Sequence, residues 1–170
     1  MDSTDTAEFE GFVHACAPSL IRLSYALCGD LGRAQDAAQT AFERVYQRWG
    51  KISDPWAYAR RVAVNSTHDG WRSFTSRVTV GLQGDHPRFS FDPMEATNDK
   101  DEIIRALREL SHAQRAVLVL RYWQDLTEAE TAAALGVSVG TVKTHGHRAM
   151  QRLRRILDVQ GDAERKGVMS

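Results

Sequence analysis

The side chains most able to do chemistry lie in one short segment near the end of the sequence, where positive and hydrogen-bonding groups follow each other closely. Residues 131–157 contain no Asp or Glu. The groups that could contact bases there are Thr141, Lys143, Thr144, His145, His147 and Arg148, and those expected on the phosphate backbone are Arg152, Arg154 and Arg155. Lys and Arg can donate hydrogen bonds to guanine, and their charges also bind phosphates. This segment therefore predicts binding to nucleic acid, even though the whole chain has a net charge of zero.

These side chains need an element that presents them together, and the sequence around them predicts a helix-turn-helix. Thr127 followed by Glu130 is a capping-box signature, which predicts a helix start near Thr127. Gly136 can adopt the left-handed geometry of a sharp turn, and Ser138 can cap the helix that follows. Helix, turn and helix in this order are the plan by which many proteins place their second helix in a major groove.

The first half of the chain also has the periodicity of helices. Apolar residues recur at three- and four-residue steps over residues 9–27, which predicts one helix or two helices broken near Pro18. A second helix is predicted over residues 30–49. A third begins at Asp54-Pro55, because proline is favoured in the first turn of a helix. No strand-rich stretch or internal repeat interrupts this pattern.

The helical pattern fails in one internal segment, which divides the sequence into two parts. Between residues 74 and 98 the chain is rich in Gly, Pro and polar residues, and the helical pattern returns at residue 99. We predict an all-α protein of two small helical domains joined by a flexible linker. The expected boundaries are 1–75 for the first domain, 76–98 for the linker, 99–157 for the second domain and 158–170 for a frayed tail.

Composition and motifs exclude several functional classes. The chain is 42% hydrophobic and 26% charged, which is typical of globular proteins. An enzyme would need a nucleophile with a base, a metal cluster or a Gly-rich phosphate loop; none is visible in the sequence, and no cofactor is implied. We interpret Cys16 and Cys28 as free thiols, with a regulatory disulfide or a zinc site that includes His14 as the alternatives.

The sequence also bears on location. The first ten residues are acidic and form no basic leader, and no apolar run reaches the ~18 residues that a membrane-spanning helix needs. We therefore predict a cytoplasmic protein without membrane insertion.

Four segments resemble the sigma-70 family of bacterial RNA polymerase sigma factors. The helix-turn-helix from Gly136 to Ala149 resembles the family's domain four motif, and Leu110–Tyr122 is similar to the lead-in that precedes it. The stretch from Arg33 to Phe42 is similar to the region-two segment that docks on the polymerase clamp. Pro55–Asn65 resembles the promoter-melting helix. Domains one and three are not recognisable, which implies the extracytoplasmic-function (ECF) group.

The resemblance implies a function, partners and site residues. Such factors bind the clamp of the beta-prime subunit of core RNA polymerase and direct it to promoter DNA. Domain two reads the −10 element and domain four the −35 element. Positions that match clamp binding are Asp36, Gln39 and Phe42; those that match the −10 helix and its base-capturing loop, residues 66–73, are Arg60, Arg61, Asn65, Trp71 and Arg72. The −35 contacts fall on the positive segment from Thr141 to Arg152. An anti-sigma factor is a further candidate partner.

The sequence departs from the family at several positions. Gln35 and Thr40 stand where acids are usual, His145 replaces a frequent Arg, and Gly146 occupies a position where Leu is typical. A glycine inside a helix costs about 1 kcal/mol relative to alanine. The −35 sequence preference is therefore not transferable from relatives. Trp71 also has an alternative role in core packing.

A second class of protein shares part of this pattern. The residues from Thr141 to His145 also resemble the recognition helix of LuxR-type regulators. Such a regulator would normally carry a receiver or ligand-sensing domain, and a receiver alternates strands with helices, whereas residues 9–75 have a continuous helical pattern. A sigma factor is therefore the favoured interpretation, and a LuxR-type regulator is the alternative.

Overall fold

The computed structural model of the protein describes residues 3–67 and 105–167, with side chains over residues 4–67 and 105–158. These residues form two compact units, the first over residues 3–67 and the second over residues 105–132 and 137–167. All regular elements in the described ranges are helical, as predicted.

Three helices form the amino-terminal unit: α1 (Ser3–Cys28), α2 (Leu31–Tyr46) and α3 (Pro55–Ser66). Of the two alternatives for the first segment, the structure has one continuous helix with Pro18 inside it. Gly29 ends α1 with a positive φ of 68°. The predicted second helix is shorter than expected, because α2 ends at Tyr46 and a turn follows.

Aspartates fix the starts of the second and third helices. The Asp30 carboxylate accepts a hydrogen bond from the Arg33 backbone N–H at 2.8 Å, and Asp54 accepts one from Ala57 at 2.9 Å. Each carboxylate satisfies an amide that the helix leaves unpaired in its first turn. The predicted start of the third helix at Asp54-Pro55 is confirmed.

Small residues allow α2 to pack against both α1 and α3. Its buried face consists mainly of alanines, with Ala34 and Ala41 fully inaccessible to solvent. Because alanine carries only a methyl group, neighbouring helices can approach α2 closely. The larger side chains of this core come from α1, where Leu20, Leu23 and Leu27 are buried.

A cluster of aromatic rings joins the start of α1 to the end of α2. The Phe9 ring lies 5.0 Å from the ring of Tyr46 and 5.3 Å from that of Trp49, and Phe12 lies 6.0 Å from Phe42 in an edge-to-face arrangement. Edge-to-face geometry is favoured by the aromatic quadrupole. The ring of Phe42, a predicted polymerase contact, thus also packs within its own unit.

The carboxy-terminal unit contains a helical turn at residues 105–108, α4 (His112–Leu118), a π-helical segment (Val119–Trp123), α5 (Glu128–Leu135) and α6 (Val139–Gly167). Residues 158–167 were expected to be a frayed tail but continue α6 as helix. The predicted linker, residues 76–98, lies outside the described residues, as do Trp71 and Arg72. No helix in the described ranges is long and apolar enough to cross a bilayer.

The chain leaves the helical conformation just before α4. The apolar pattern of the sequence does not show this break, because it continues across the same residues. Ser111 and Gln114 form a capping box, in which the Ser111 hydroxyl accepts from the Gln114 N–H and the Gln114 amide oxygen accepts from the Ser111 N–H. The Ser-x-x-Gln spacing is the sequence signature of this motif. The start of α4 could therefore be predicted from this spacing, which the sequence analysis above does not use.

One buried arginine satisfies the backbone carbonyls at this break. The Arg115 guanidinium donates to the carbonyl oxygens of Leu107 at 2.9 Å, Leu110 at 3.1 Å and Arg108 at 3.3 Å. Its side chain is only 7% exposed. Carbonyls at the end of a helix have no partner within it, so this cation links the preceding turn to α4.

We expect Arg115→Ala to lower the free energy of unfolding of the carboxy-terminal unit by about 3 kcal/mol, because it leaves buried carbonyls without donors. Urea unfolding of the full chain, followed by tryptophan fluorescence, measures the change. Arg154→Ala, at an exposed position of α6, is the matched control and should change stability by less than about 0.5 kcal/mol. Equal effects of the two substitutions would contradict a structural role for Arg115.

Candidate nucleic-acid interface

The turn between α5 and α6 has the geometry that the sequence predicts. The Thr127 hydroxyl accepts from the Glu130 N–H at 3.2 Å, and the Glu130 carboxylate accepts from the Thr127 N–H at 2.7 Å. Gly136 has a φ of +67°, and the Ser138 hydroxyl accepts from the Thr141 N–H at 3.1 Å. The predicted helix-turn-helix is confirmed in its caps and its turn.

The exposed face of α6 lies opposite two fully buried residues, Val142 and Ala149. Because successive residues turn by about 100° around a helix, Thr144 and His147 lie at the centre of this exposed face. Lys143 lies along one edge and Arg148 along the other. All four side chains are exposed. Polar groups thus occupy the centre of the face and cations its edges.

The arginine edge forms one wall of an open cleft of about 680 Å³. Its cationic lining consists of Arg148, Arg152 and Arg155, one helical turn apart along α6. Gln114 of α4 and Glu109 also line it. Three guanidinium groups in a row are suited to phosphate oxygens, which they can bind with paired hydrogen bonds. Arg155 belongs, with Arg152 and Arg154, to the set expected from the sequence to bind the phosphate backbone, and its spacing places it on this edge.

The lysine edge faces the first helix of the motif. The Lys143 ammonium lies 3.6 Å from the carboxylate of Glu128, the first residue of α5, and the two side chains are 64% and 40% exposed. This contact was missed from the sequence, because the two residues meet only when the turn brings the helices together.

Two predicted contacts are less available than expected. Thr141 and His145 were expected to face solvent, but both are half-buried, and the Thr141 hydroxyl bonds to that of Ser138 at 2.9 Å. Burial lowers the pKa of His145 below its ordinary value of 6.5, and the nearby charge of Arg148 lowers it further. His145 is therefore positioned at the margin of the face and favours the neutral imidazole.

The glycine inside α6 lies against α4. A Cβ atom added at Gly146 would lie 3.5 Å from a methyl group of Val117 on α4, which is ordinary van der Waals contact. An alanine would fit, whereas a leucine would have to displace Val117. Gly146 thus lies where α4 and α6 meet, and Val117 limits the space for a larger side chain there.

The predicted polymerase contacts share one side of α2. Asp36 and Gln39 are exposed, one turn apart, while Phe42 is half-buried against Phe12. Gln39 donates a hydrogen bond to the Glu43 carboxylate at 2.9 Å. These positions therefore form an accessible strip on the helix, with the ring of Phe42 at its end.

The predicted −10 contacts lie on α3. Arg61 and Asn65 are exposed and one turn apart, so they share a face, and Arg60 is half-buried beside them. Ala59, Val62 and Ala63 are buried on the opposite side. The structure thus brings three of the five predicted residues onto one helix. Trp71 and Arg72 lie outside the described residues.

The two cysteines are not arranged for a disulfide with each other. Cys16 and Cys28 both lie on α1 and are free, and their separation of twelve positions corresponds to a rise of about 18 Å. Burial raises the pKa of both thiols, and the charge of Arg33 only partly offsets this at Cys28. A thiol with a raised pKa is less reactive, so these side chains favour the interpretation as free thiols. In the described ranges, no group of three or more His, Cys, Asp or Glu could hold a metal ion.

Two helical units, one of which carries a helix-turn-helix whose second helix is cationic and free of acids over residues 139–157, are typical of a DNA-binding transcription factor. Comparison with known families identifies both units. Sigma-70 region 2 matches residues 12–77, and Sigma-70, region 4 matches residues 100–153.

Relatives agree with this assignment over nearly the full length. An RNA polymerase sigma-E factor of Streptomyces antibioticus is 38% identical over 163 residues, which cover 94% of this chain and 90% of the relative. The ECF RNA polymerase sigma factor SigL of Mycobacterium tuberculosis is 34% identical over 152 residues, covering 85% and 86%. The chain belongs to the sigma-70 family of RNA polymerase sigma factors, in its ECF group. It is an alternative sigma factor that binds core RNA polymerase and promoter DNA and directs promoter-specific transcription initiation.

A solved structure supports the fold. The sigma factor RpoE of Bartonella quintana, solved in complex with the anti-sigma factor NepR, has a TM-score of 0.65 at 21% identity and covers 89% of this chain and 98% of its own. The alternative of a LuxR-type regulator gains no support, because both matched regions are sigma-70 regions and residues 3–67 form helices without the strands of a receiver domain.

We expect the stability of the carboxy-terminal unit to fall as the pH drops below about 6.5, partly through His145. Since the pKa of His145 is lower in the folded state than in the unfolded state, the unfolded state binds more protons in this range. The contribution of His145 to the free energy of unfolding is complete above about pH 6.5, and it is lost as the pH falls towards the pKa of the folded state. Thermal unfolding of the wild type and His145→Gln between pH 8 and 5 tests this, and the difference between them should change as the pH falls. His147→Gln, at an exposed position, is the control. Parallel profiles for His145→Gln and the wild type would contradict the expectation.

Proposed function

We propose that the two units divide promoter recognition between them, with the carboxy-terminal unit on the −35 duplex and the amino-terminal unit on core polymerase and the −10 element. The observation that carries this proposal is the exposed face of α6. Polar side chains lie at the centre of this face and cationic side chains along its edges, within a segment that contains no acid. A major groove about 12 Å wide admits a helix of about the same diameter.

On the −35 element, the centre and edges of α6 have different tasks. Thr144 and His147 would face base edges, where their side chains can donate and accept hydrogen bonds. Arg148, Arg152 and Arg155 would bind the phosphates along one side of the groove, which positions the helix without reading sequence. Thr141, Lys143 and His145 complete the predicted set of −35 contacts. Of these, Thr141 and His145 are half-buried and lie at the margin of the exposed face.

On the polymerase side, α2 offers its exposed strip to the clamp of the beta-prime subunit. Asp36 and Gln39 provide polar contacts and Phe42 an aromatic edge. From α3, Arg61 and Asn65 would contact the opened −10 strand, with Arg60 beside them, and Trp71 and Arg72 remain predicted contacts of the loop that follows. Single-stranded DNA is bound by cationic grooves combined with stacking groups, which fits these residue types.

The proposal extends to organisation, location and regulation. The linker of residues 76–98 would thread the polymerase between the two domains, with boundaries as predicted from the sequence. The protein would act in the cytoplasm, where core polymerase meets promoter DNA, and perform no catalysis itself. An anti-sigma factor is a further proposed partner, of the kind that the Bartonella relative binds.

Run-off transcription tests the proposal directly. Purified core polymerase, with and without this protein, is given the DNA upstream of the protein's own gene. A discrete new transcript is expected, and its start site locates the −10 and −35 sequences. If the protein gives no new transcript and does not bind core polymerase, the proposed division is contradicted.

We expect Arg148→Ala to weaken binding to the −35 duplex and to reduce the slope of log K against log salt by about 0.9, the value for one lost phosphate contact. Fluorescence anisotropy of the full chain at several salt concentrations measures both quantities. Arg22→Ala, at an exposed position of α1, makes the same change in net charge and should leave the slope unaltered. An unchanged slope for Arg148→Ala would remove this residue from the interface.

We expect the double substitution Asp36→Ala with Gln39→Ala to weaken binding to core polymerase about tenfold, as loss of central interface contacts commonly does. The −35 duplex should still bind, because these residues lie in the other unit. Titration of labelled core polymerase gives the affinity, with Glu10→Ala of α1 as the control for a lost exposed carboxylate. Loss of duplex binding as well would indicate unfolding, and unchanged core affinity would exclude this strip.

A further inference from the structure

The contact between Glu128 and Lys143 places a negative charge at the edge of the proposed DNA-binding face. The carboxylate of Glu128 lies 3.6 Å from the ammonium of Lys143. No acid occurs from residue 131 to residue 157, so Glu128 reaches this face from outside the acid-free segment. An acid so close to a surface that must approach phosphates is unfavourable for DNA binding in general.

Capping does not account for this acid, although a carboxylate in the first turn of a helix gains a small stabilisation from the helix dipole. The capping box of α5 uses the carboxylate of Glu130, which bonds both the N–H and the hydroxyl of Thr127 at 2.7 Å. Glu128 instead extends towards Lys143, and both side chains are substantially exposed. Exposed ion pairs contribute little to folding stability, because water and salt screen them. The pair can therefore be removed without disturbing the fold.

Docking on DNA changes the balance of charges around Lys143. In a helix-turn-helix, the second helix enters the major groove while the first crosses the backbone. Glu128, at the start of the first helix, would then lie near phosphates that repel it. Those same phosphates would compete with Glu128 for the ammonium of Lys143.

The competition has different outcomes on the two kinds of DNA. On a non-specific duplex, binding depends on charge alone, and a lysine held by a carboxylate neutralises phosphates poorly. On the correct sequence, Lys143 can donate directly to a guanine edge, which is a stronger interaction than an exposed ion pair. The ion pair is then replaced by a better contact only where the right base is present.

We propose that Glu128 is a specificity-determining residue, which weakens binding to non-specific DNA by holding Lys143 and releases it to the correct −35 base. This inference rests on the proposed function of α6 at the −35 element. It assigns to the first helix of the motif a role in discrimination, in addition to its role in supporting the second.

The test uses the full chain and two labelled duplexes, one with the −35 sequence found by run-off transcription and one with its bases shuffled. Glu128→Gln keeps the size of the side chain and removes its charge. It should tighten binding to the shuffled duplex about two- to fivefold, the range expected for release of an exposed ion pair, and tighten binding to the −35 duplex less. The ratio of the two affinities should therefore fall.

Two further variants separate the ion pair from general charge. In a Lys143→Gln background, Glu128→Gln should have little effect on the shuffled duplex, because the lysine that it would release is absent. Glu10→Gln, in the other unit, makes the same change in net charge at an exposed position and should leave both affinities unchanged.

Several results would overturn the proposal. Equal tightening on both duplexes, or undiminished tightening in the Lys143→Gln background, would show simple repulsion rather than control of Lys143. Weaker −35 binding by Glu128→Gln would make Glu128 a direct contact instead. If neither the wild type nor Glu128→Gln binds either duplex, the proposed −35 function fails, and this inference fails with it.

Discussion

Backbone groups at helix ends must find hydrogen-bond partners, and this constraint decides where the helices of the described residues begin. A helix leaves its first N–H groups and last carbonyls unpaired, so a short helix has a large share of them. Asp30, Asp54, Ser111 and Ser138 supply acceptors for such amides through their side chains. The buried side chain of Arg115 supplies hydrogen-bond donors to carbonyl oxygens in the same way. Each cap also fixes where the next functional helix begins and in which direction it points.

The interface depends on the same caps. Because Ser138 starts α6 directly after the positive φ of Gly136, the first turns of the helix are the ones presented to solvent. The buried residues Val142 and Ala149 then hold one face on the unit, and polar and cationic side chains occupy the other. A single rigid helix thereby sets the spacing between the groups that would read bases and those that would bind phosphates. Rigid presentation lowers the entropic cost of ordering those groups when DNA binds.

The charges of this protein balance in number but are segregated along the chain. The chain is neutral overall, yet the cations at residues 143–155 of α6 are kept apart from acids in sequence. In the folded unit, Glu128 approaches them at one edge and Glu109 lines the cleft at the other. Such an arrangement is suited to a factor that must bind one sequence among many similar duplexes, because net positive charge alone would favour all DNA equally. Residues 131–157 carry five Lys and Arg without an acid, so the remainder of the neutral chain has a net charge of −5, which limits that non-specific attraction.

The sequence by itself determined what depends on nearest neighbours along the chain. Thr127 with Glu130, Gly136, Ser138 and the Asp54-Pro55 start were all predictable, since a cap or a turn is decided within about four residues. The family could be recognised for the same reason, from local motifs. The Ser111–Gln114 capping box is equally local, because its two residues are three positions apart.

Tertiary structure decided what depends on residues distant in sequence. Whether Pro18 breaks α1 was open, because packing can stabilise a helix that loses one hydrogen bond. The half-burial of His145, the fit of Gly146 against Val117 and the reach of Glu128 to Lys143 all arise where two helices meet. Periodicity gives the face on which a side chain lies, but the neighbour that covers or charges that face is fixed only when the chain has folded.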